Sequence, residues 1–234
     1  MIYGGNGEFE KAISVLEEAQ LLHSKHHAEN ISLENSIYSS FAHTYNNLKQ
    51  YEKALEYQKL VVQNLGKSLG YKNAMYIMEK ANLANVYYHV RETEKAKEIL
   101  LDLIDGLDDF AINDREKIGI YYVMFQICSR QNEPSDAIKY GSEMWSILMS
   151  NPTADLYNEK VSTGISLTRQ ILRHLTEEPE LMPSKSAGLK ETATSILEEL
   201  SHEQHHADEK VAKTIEGLRA ELKSYAAEGI KKPK

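Results

Sequence analysis

An all-α chain of stacked antiparallel helix pairs is the fold that the sequence predicts, and two observations lead to it. The first is a segment that recurs through the first 150 residues, as EFEKAISVLEEA from Glu8, QYEKALEYQKLV from Gln50, ETEKAKEILLDL from Glu92 and EPSDAIKYGSEM from Glu133. The second is the spacing of its small residue, which is 42, 42 and 41 residues between Ala12, Ala54, Ala96 and Ala137. A fixed period in this range indicates that similar supersecondary units stack on one another.

Residues 81–100 show what each unit contains. Leu83, Ala84 and Tyr87 fall on one face of a first helix, and Ala96, Ile99 and Leu100 fall on one face of a second. Between them the stretch VRETE at residues 90–94 breaks the first stripe. Thr93 within it is placed to cap the helix that follows.

The preceding unit repeats this arrangement, with Phe41, Ala42, Tyr45, Tyr51 and Ala54 at the corresponding positions. Together these residues resemble the tetratricopeptide repeat family, in which a small residue in each helix lets the pair cross closely. The resemblance covers residues 1–150 well and the remainder poorly. It implies a right-handed α-α superhelix of stacked antiparallel helix pairs. The period exceeds the family's usual ~34 residues, so each unit carries extra helical turns.

In chain order, the periodicity and the Gly and Pro residues predict an opening helix at 9–25 and three pairs, 31–48 with 51–65, 73–90 with 93–104, and 114–129 with 134–149. Gly66 and Gly70 mark one link, Gly106 closes the second pair, and Pro152 stops the third. The opening helix lacks most of a partner and would expose an apolar face. This favours a chain cut from a longer protein.

After residue 155 the repeat blurs. A helix at 156–175 carries Val161, Ile165, Leu172 and Leu175 on one side, and 176–187 with its two prolines is predicted as a loop. Helices at 189–200 and 208–226 follow, and the last has a single apolar stripe that suits a terminal capping helix. The predicted domains are therefore 1–151, repeats of which the first is incomplete, and 152–234, a degenerate helical repeat plus a C-terminal capping helix.

Composition excludes several functions. The net charge of −8 and pI near 5.6 argue against nucleic acid as a partner, because phosphates require a concentrated basic face. One cysteine, Cys128, excludes an internal disulfide and fits a reducing compartment, where we expect a packed thiol. No apolar run is long enough to span a membrane and no signal peptide is apparent, so a cytoplasmic location is predicted. No cofactor is expected.

One string in the sequence matches a metal site. His202-Glu203-Gln204-His205-His206 satisfies the zinc-protease pattern H-E-x-x-H, in which His202 and His206 would bind zinc and Glu203 would act as general base. The string lies at a polar join between two predicted helices, and a chain rich in His and Glu produces it easily. A zinc hydrolase is therefore only the remote alternative, and we predict neither catalytic nor metal-binding residues.

The inner face of the stack is the surface on which we expect function. In the family, the first helix of each pair lines a concave groove. Carried over by register, the groove positions are Ser39, His43, Asn46, Asn47, Met78, Ala81, Asn85, Tyr88, His89, Tyr122, Gln126, Ser129 and Arg130. Asparagine side chains there could hold a peptide backbone, and the tyrosines supply apolar area. For Tyr88 and Tyr122, packing on a neighbouring helix is the alternative.

The preferred function is a non-enzymatic scaffold that binds a peptide or helix of a protein partner in this groove. The alternative is a regulatory module of a larger protein that senses a peptide or small ligand, as in the bacterial peptide-sensing repeat proteins that the chain also resembles. A homodimer through the incomplete first repeat is a further partner that the exposed face of the first helix would allow.

Overall fold

The computed structural model describes residues 8–150, 157–178, 181, 183–202 and 209–228. Within these ranges the secondary structure is entirely helical, which confirms the predicted all-α, TPR-like solenoid class. A short 3-10 helix, Leu107–Asp109, follows α5. The ten α-helices of the described ranges are α1 Phe9–His26, α2 Ile31–Asn47, α3 Tyr51–Leu69, α4 Ala74–His89, α5 Thr93–Asp105, α6 Asp114–Arg130, α7 Pro134–Ser150, α8 Tyr157–Glu177, α9 Pro183–His202 and α10 Glu209–Glu228.

The chain forms two compact units, Met1–Val123 and Met124–Lys234, which we call the N-terminal and C-terminal units. The boundary between them lies within α6. In the N-terminal unit each helix from α1 to α4 packs on the next one in sequence, as stacked antiparallel pairs require. The domain division at residues 151 and 152 remains a prediction.

The core of the N-terminal unit forms where small residues let the helices of a pair approach. Ala54 on α3 and Ala96 on α5 are fully buried at the repeated position. Around Ala54, the ring of Phe41 on α2 stacks on the rings of Tyr45 and Tyr57, with centroids 6.0 and 4.6 Å away. Aromatic pairs at these distances add to the stability that burial of their area provides. The repeated positions in the sequence therefore correspond to packing positions.

The turns of three helix pairs, α2–α3, α4–α5 and α6–α7, each have one non-glycine residue in the left-handed conformation. Lys49, Arg91 and Asn132 have φ of 59°, 66° and 61°, and they stand 42 and 41 residues apart. In all three turns the next amide donates a hydrogen bond back to the preceding helix. Gln50 donates to the Tyr45 carbonyl and Glu92 to the Tyr87 carbonyl, both at 2.9 Å, and Glu133 donates to the Cys128 carbonyl at 3.0 Å. The repeat therefore extends to the backbone of its turns.

Replacing Arg91 by glycine is expected to stabilise the fold by roughly 0.5 to 1 kcal/mol. The Cβ of arginine is strained at positive φ, and glycine removes that strain while making the unfolded chain more flexible. The midpoint of urea unfolding measures the change. Arg91→Ala is the matched control, because it removes the exposed side chain but keeps Cβ, and we expect a change below about 0.5 kcal/mol. A glycine variant less stable than the alanine variant would contradict this explanation.

Several predicted boundaries are wrong for identifiable reasons. Gly66 lies inside α3, which runs on to Leu69 and ends at Gly70 with φ of 85°. A Cβ on Gly66 would come within 2.8 Å of the Tyr71 ring, so this glycine provides space for an aromatic ring. Thr93 is the first residue of α5, and the N-cap position before it is occupied by Glu92, whose side chain makes no capping hydrogen bond.

The predicted loop at 176–187 is also too long. The helix before it continues to Glu177, and α9 already begins at Pro183. Proline is well suited to the first turn of a helix, where its missing N–H costs nothing and its φ is already helical. Pro183 therefore starts a helix at a place where the sequence pattern indicated a break.

The C-terminal unit has its own core, built from α7 to α10. Leu167, Ile171 and Leu175 of α8 are fully buried and meet Ile196 of α9 and Ile215 of α10. Gly164 allows close approach on α8, since a Cβ there would lie 2.9 Å from the Trp145 ring. The predicted stripe of the last helix is confirmed, because all its members belong to or pack on this core: Val211, Ile215, Leu218, Leu222 and Tyr225.

The described residues cover the first helix along one side. Ile13, Leu16 and Ala19 pack against the core of the N-terminal unit. Val15 and Leu22 are about half exposed, at 51% and 49%. The predicted exposure of an apolar face on this helix is confirmed for these residues.

Candidate partner-binding groove

The predicted groove residues of α2 differ in accessibility. His43 and Asn47 are exposed, whereas Ser39 and Asn46 are half-buried. The hydroxyl of Ser39 donates a hydrogen bond to Oε1 of Glu79 on α4, at 2.9 Å. This bond joins the first helices of two consecutive pairs on the side where the register predicts the groove.

The predicted residues of α4, Met78, Asn85, Tyr88 and His89, are all half-buried. The ring of His89 stacks on the ring of Tyr51 at the start of α3, with centroids 4.5 Å apart, and the ring of Tyr88 lies 5.7 Å from that of His89. His89 therefore connects two neighbouring helix pairs. Ala81 is buried, so the register places it wrongly on the groove surface and it belongs to the core.

Met78 points towards α6. A Cβ on Gly119 would lie 3.3 Å from the terminal methyl of Met78, so this methionine fills the space between α4 and α6. Tyr122 of α6 also belongs to the N-terminal unit and is 48% exposed. Gln126 and Ser129 are half-buried and Arg130 is exposed, and all three belong to the C-terminal unit. Their place in a groove stays a prediction.

A polar cluster that the sequence pattern did not predict centres on the carboxylate of Glu79. Its Oε1 accepts from Ser39, and its Oε2 accepts from Nε2 of Gln58 at 2.6 Å and from Nδ2 of Asn82 at 3.2 Å. The same nitrogen of Gln58 also donates to the backbone carbonyl of Glu79 at 2.9 Å. Hydrogen bonds to a carboxylate are about twice as strong as neutral ones, so the cluster holds α2, α3 and α4 in a fixed arrangement.

Beside this cluster lies a pocket of about 390 Å³ between α2, α3 and α4. Glu79 and Ser39 form part of its wall, together with Asn35 from α2. The rest of the wall consists of three serines, Ser32, Ser36 and Ser68, and of apolar side chains from all three helices, namely Ile31, Val61, Leu65, Leu69 and Met75. This volume lies within the range of typical ligand sites, which are mostly apolar with a few placed polar groups.

A sequence signal for this cluster existed. Gln58 is buried within the apolar stripe of α3, between Leu55 and Val61, and Asn35 is buried in the same way on α2 before Phe41. A polar residue within a core stripe needs a partner, because burial without one costs free energy. The buried polar residues therefore indicate that hydrogen-bond partners exist. They do not identify these partners, because Glu79 lies more than twenty residues from Gln58 along the chain.

In the C-terminal unit the side chains of a serine, a histidine and a glutamate lie next to one another. Ser135 Oγ lies 3.4 Å from Nε2 of His174, and Nδ1 of His174 lies 3.5 Å from Oε1 of Glu178. A catalytic histidine needs a hydrogen bond from Nδ1 to its carboxylate, and Nδ1 of His174 has none among the described atoms. We interpret the arrangement as packing of a buried histidine and assign it no chemistry.

The H-E-x-x-H string lies almost wholly outside the described residues, which include only the backbone of His202. Elsewhere in the described ranges, no group of three His, Cys, Asp or Glu side chains could hold a metal ion. None of the described helices combines the length and the apolar character that crossing a membrane requires. Cys128 is buried, as predicted for a packed thiol.

Helix pairs with a common turn and a common small residue define a helical repeat protein. Residues 36–63 match a family model described as a tetratricopeptide repeat, so the resemblance to that family is confirmed. This match covers most of α2 and most of α3, which form the pair around Phe41 and Ala54. No curated protein matches the chain.

Solved structures extend the likeness beyond that one repeat. One similar structure is that of a putative kinesin light chain from Podosopora anserina, described as nearly identical TPR-like repeats. Its sequence is 15% identical to this chain, and the TM-score is 0.61 over 83% of this chain and 89% of that one. A point variant of the same protein has a TM-score of 0.63 at 15% identity, over 86% and 92%. BtubC (BKLC) from P. vanneervenii has a TM-score of 0.66 at 17% sequence identity, over 98% of this chain and 78% of that one. These similarities establish the fold.

Proposed function

We propose that the chain is a non-enzymatic interaction scaffold, which holds a peptide or helix of a protein partner along the first helices of its pairs. The observation that carries the proposal is the mixture of polar and aromatic side chains on α2 and α4 within a stack of helical repeats. His43 and Asn47 are exposed there, and Asn85 and Tyr88 are half-buried. Amide groups can pair with both donors and acceptors of a peptide backbone, and tyrosine contributes contact area at low entropic cost.

The test compares partners captured by the wild-type protein with those captured by a double variant, Asn85→Ala with Tyr88→Ala. Interface hot spots are enriched in tyrosine, and truncating one typically costs about 2 kcal/mol or more. We therefore expect the double variant to bind a recovered partner at least about tenfold more weakly, which corresponds to ~1.4 kcal/mol. Mass spectrometry identifies the partner, and titration of the purified pair measures the dissociation constant.

The matched control is Leu60→Ala with Gln63→Ala, which removes one apolar and one amide side chain from exposed positions of α3. Circular dichroism must show the same helicity for both double variants. Equal loss of affinity in the two variants, or no loss in either, would contradict the groove proposal. Recovery of the chain itself as the only partner would instead favour a homodimer through the exposed face of α1, and recovery of no protein would favour a sensor of a small ligand.

A further inference from the structure

We propose that the pocket between α2, α3 and α4 takes the cationic end of an arginine or lysine side chain from the partner. The inference rests on the proposed function and names the chemistry of one anchor residue in the bound segment. The carboxylate of Glu79 would neutralise the positive charge, and the apolar wall would cover the aliphatic stem. Ser39, a predicted groove residue, lines the same pocket, so the anchor would enter from the predicted binding face.

Charge is the first argument. Glu79 is the only ionisable residue among those that line the described pocket, and no Lys, Arg or His shares that wall. The neighbouring lysine of α4, Lys80, is held by Asp102 at 2.5 Å. A carboxylate offers about four acceptor positions, and three donors occupy part of those on Glu79. One acceptor position and the full negative charge therefore remain for a cation, and an anion would be repelled.

The second argument is an unused acceptor. Asn35 is only 7% exposed and lines the pocket, and its side-chain oxygen is buried with no hydrogen-bond partner among the described atoms. A buried amide oxygen without a donor costs free energy, and a rotation of the Asn35 side chain towards the pocket would let a ligand's N–H group recover it. Guanidinium and ammonium groups consist only of donors, so they suit an acceptor and a carboxylate together.

The third argument is the apolar rim. Ile31, Leu69 and Met75 are 49%, 47% and 62% exposed, and all three line the pocket. Long cationic side chains bury their methylene stems on apolar surface while their heads reach a polar group. A small inorganic cation would leave this rim uncovered. The combination of rim and carboxylate therefore matches a basic side chain of a protein better than a free ion.

Two probes test the inference on the full chain. Butylguanidinium reports on the pocket alone, through NMR shifts of the amides of Ser36, Ser39 and Met75, with butyrate as the probe of opposite charge. Pools of octapeptides with one fixed arginine report on partner recognition by fluorescence polarisation, with citrulline in the same position as the neutral isostere. We expect butylguanidinium to shift these amides at millimolar concentration, butyrate to have no effect, and the arginine pool to bind at least fivefold more tightly than the citrulline pool.

Two variants change the charge of the pocket in opposite directions. Glu79→Gln should lower the affinity for butylguanidinium and for the arginine peptides at least fivefold. Its matched control is Glu52→Gln, which removes the same charge from an exposed site on α3. Met75→Glu adds a carboxylate at the rim, in the first turn of α4, where an acidic residue is favourable. It should raise the affinity for both cationic probes by roughly fivefold. Because Met75 is exposed, this variant keeps the test decisive if Glu79→Gln disturbs folding.

The outcomes separate the two proposals. Binding of butylguanidinium without a preference for arginine peptides would overturn the assignment to a partner side chain and point to a free small cation. No response of the pocket amides, or no change in Met75→Glu, would overturn the pocket inference. In that case the groove proposal would still depend on the Asn85 and Tyr88 variants, neither of which lines the pocket. An arginine preference that Glu79→Gln abolishes and Glu52→Gln retains supports the inference.

Discussion

The Phe41→Ala variant is expected to lose about 3 to 5 kcal/mol of unfolding free energy, because it empties the centre of the N-terminal unit. Phe41 is 1% exposed and stacks on Tyr57 with centroids 4.6 Å apart. Its removal takes away the burial of a large ring, leaves a cavity between α2 and α3, and ends two ring contacts. A loss of this size is a large part of the roughly 5 to 15 kcal/mol by which domains are usually stable.

Urea unfolding followed by circular dichroism measures this loss. His43→Ala is the matched control on the same helix, because His43 is exposed, and its effect should stay within about 0.5 kcal/mol. Phe41→Leu keeps most of the volume and should cost clearly less than alanine. A loss below about 1 kcal/mol in Phe41→Ala would mean that the aromatic cluster is not the centre of this unit.

The same variant should change the ionisation of a neighbouring tyrosine. Burial, followed by the nearby Tyr45, Glu17 and Glu56, raises the pKa of the Tyr57 hydroxyl above its ordinary value. A cavity beside its ring would admit water and bring this pKa back towards about 10. In the wild-type protein the raised pKa means that stability from this group is complete below about pH 10 and decreases as the pH rises through the folded-state pKa. Ultraviolet titration of tyrosinate absorbance compares the two proteins.

The sequence predicted the fold well where the signal is local. Ala54 and Ala96 mark packing positions because helices can approach closely only at small residues, and the 42-residue period repeats that requirement. Helix ends were less predictable, because one residue type serves several purposes. Gly66 allows an aromatic ring to pack on α3, Gly70 ends the same helix, and nothing in the sequence distinguishes the two roles.

The candidate site was predictable only in part. The predicted positions His43 and Asn47 on α2 are exposed, as the alternation of packing and exposed residues in the family pattern implies, whereas Met78, Asn85, Tyr88 and His89 on α4 are only half-buried. The register misplaced Ala81, which is buried. The cluster around Glu79 could not be predicted, because three helices bring together side chains that are about 20 to 40 residues apart. Such contacts depend on tertiary packing, which a stripe on one helix does not define.

The C-terminal unit shows how a weak repeat signal can still encode a full core. The sequence assigned Val161, Ile165, Leu172 and Leu175 to one face of α8, and all four belong to or pack on the core. It left out Ile171, which is also fully buried. A helix buried by neighbours on several sides has an apolar arc wider than one stripe, so residues at its edge escape a search for a single narrow face. We attribute the blurred repeat in this unit to broader burial of α8.

Replacing Ile171 by alanine tests that explanation, and it should cost about 2 to 5 kcal/mol. Ile171 is 0% exposed, in a core to which α9 and α10 also contribute. If α8 is buried broadly, a cavity at this position destabilises the unit as much as one at Leu175, which the stripe predicted. Arg169→Ala, at an exposed position on the same helix, should change the free energy of unfolding by less than about 0.5 kcal/mol. A cost at Ile171 close to that of the Arg169 variant, with a large cost at Leu175, would show that only the narrow stripe carries the packing.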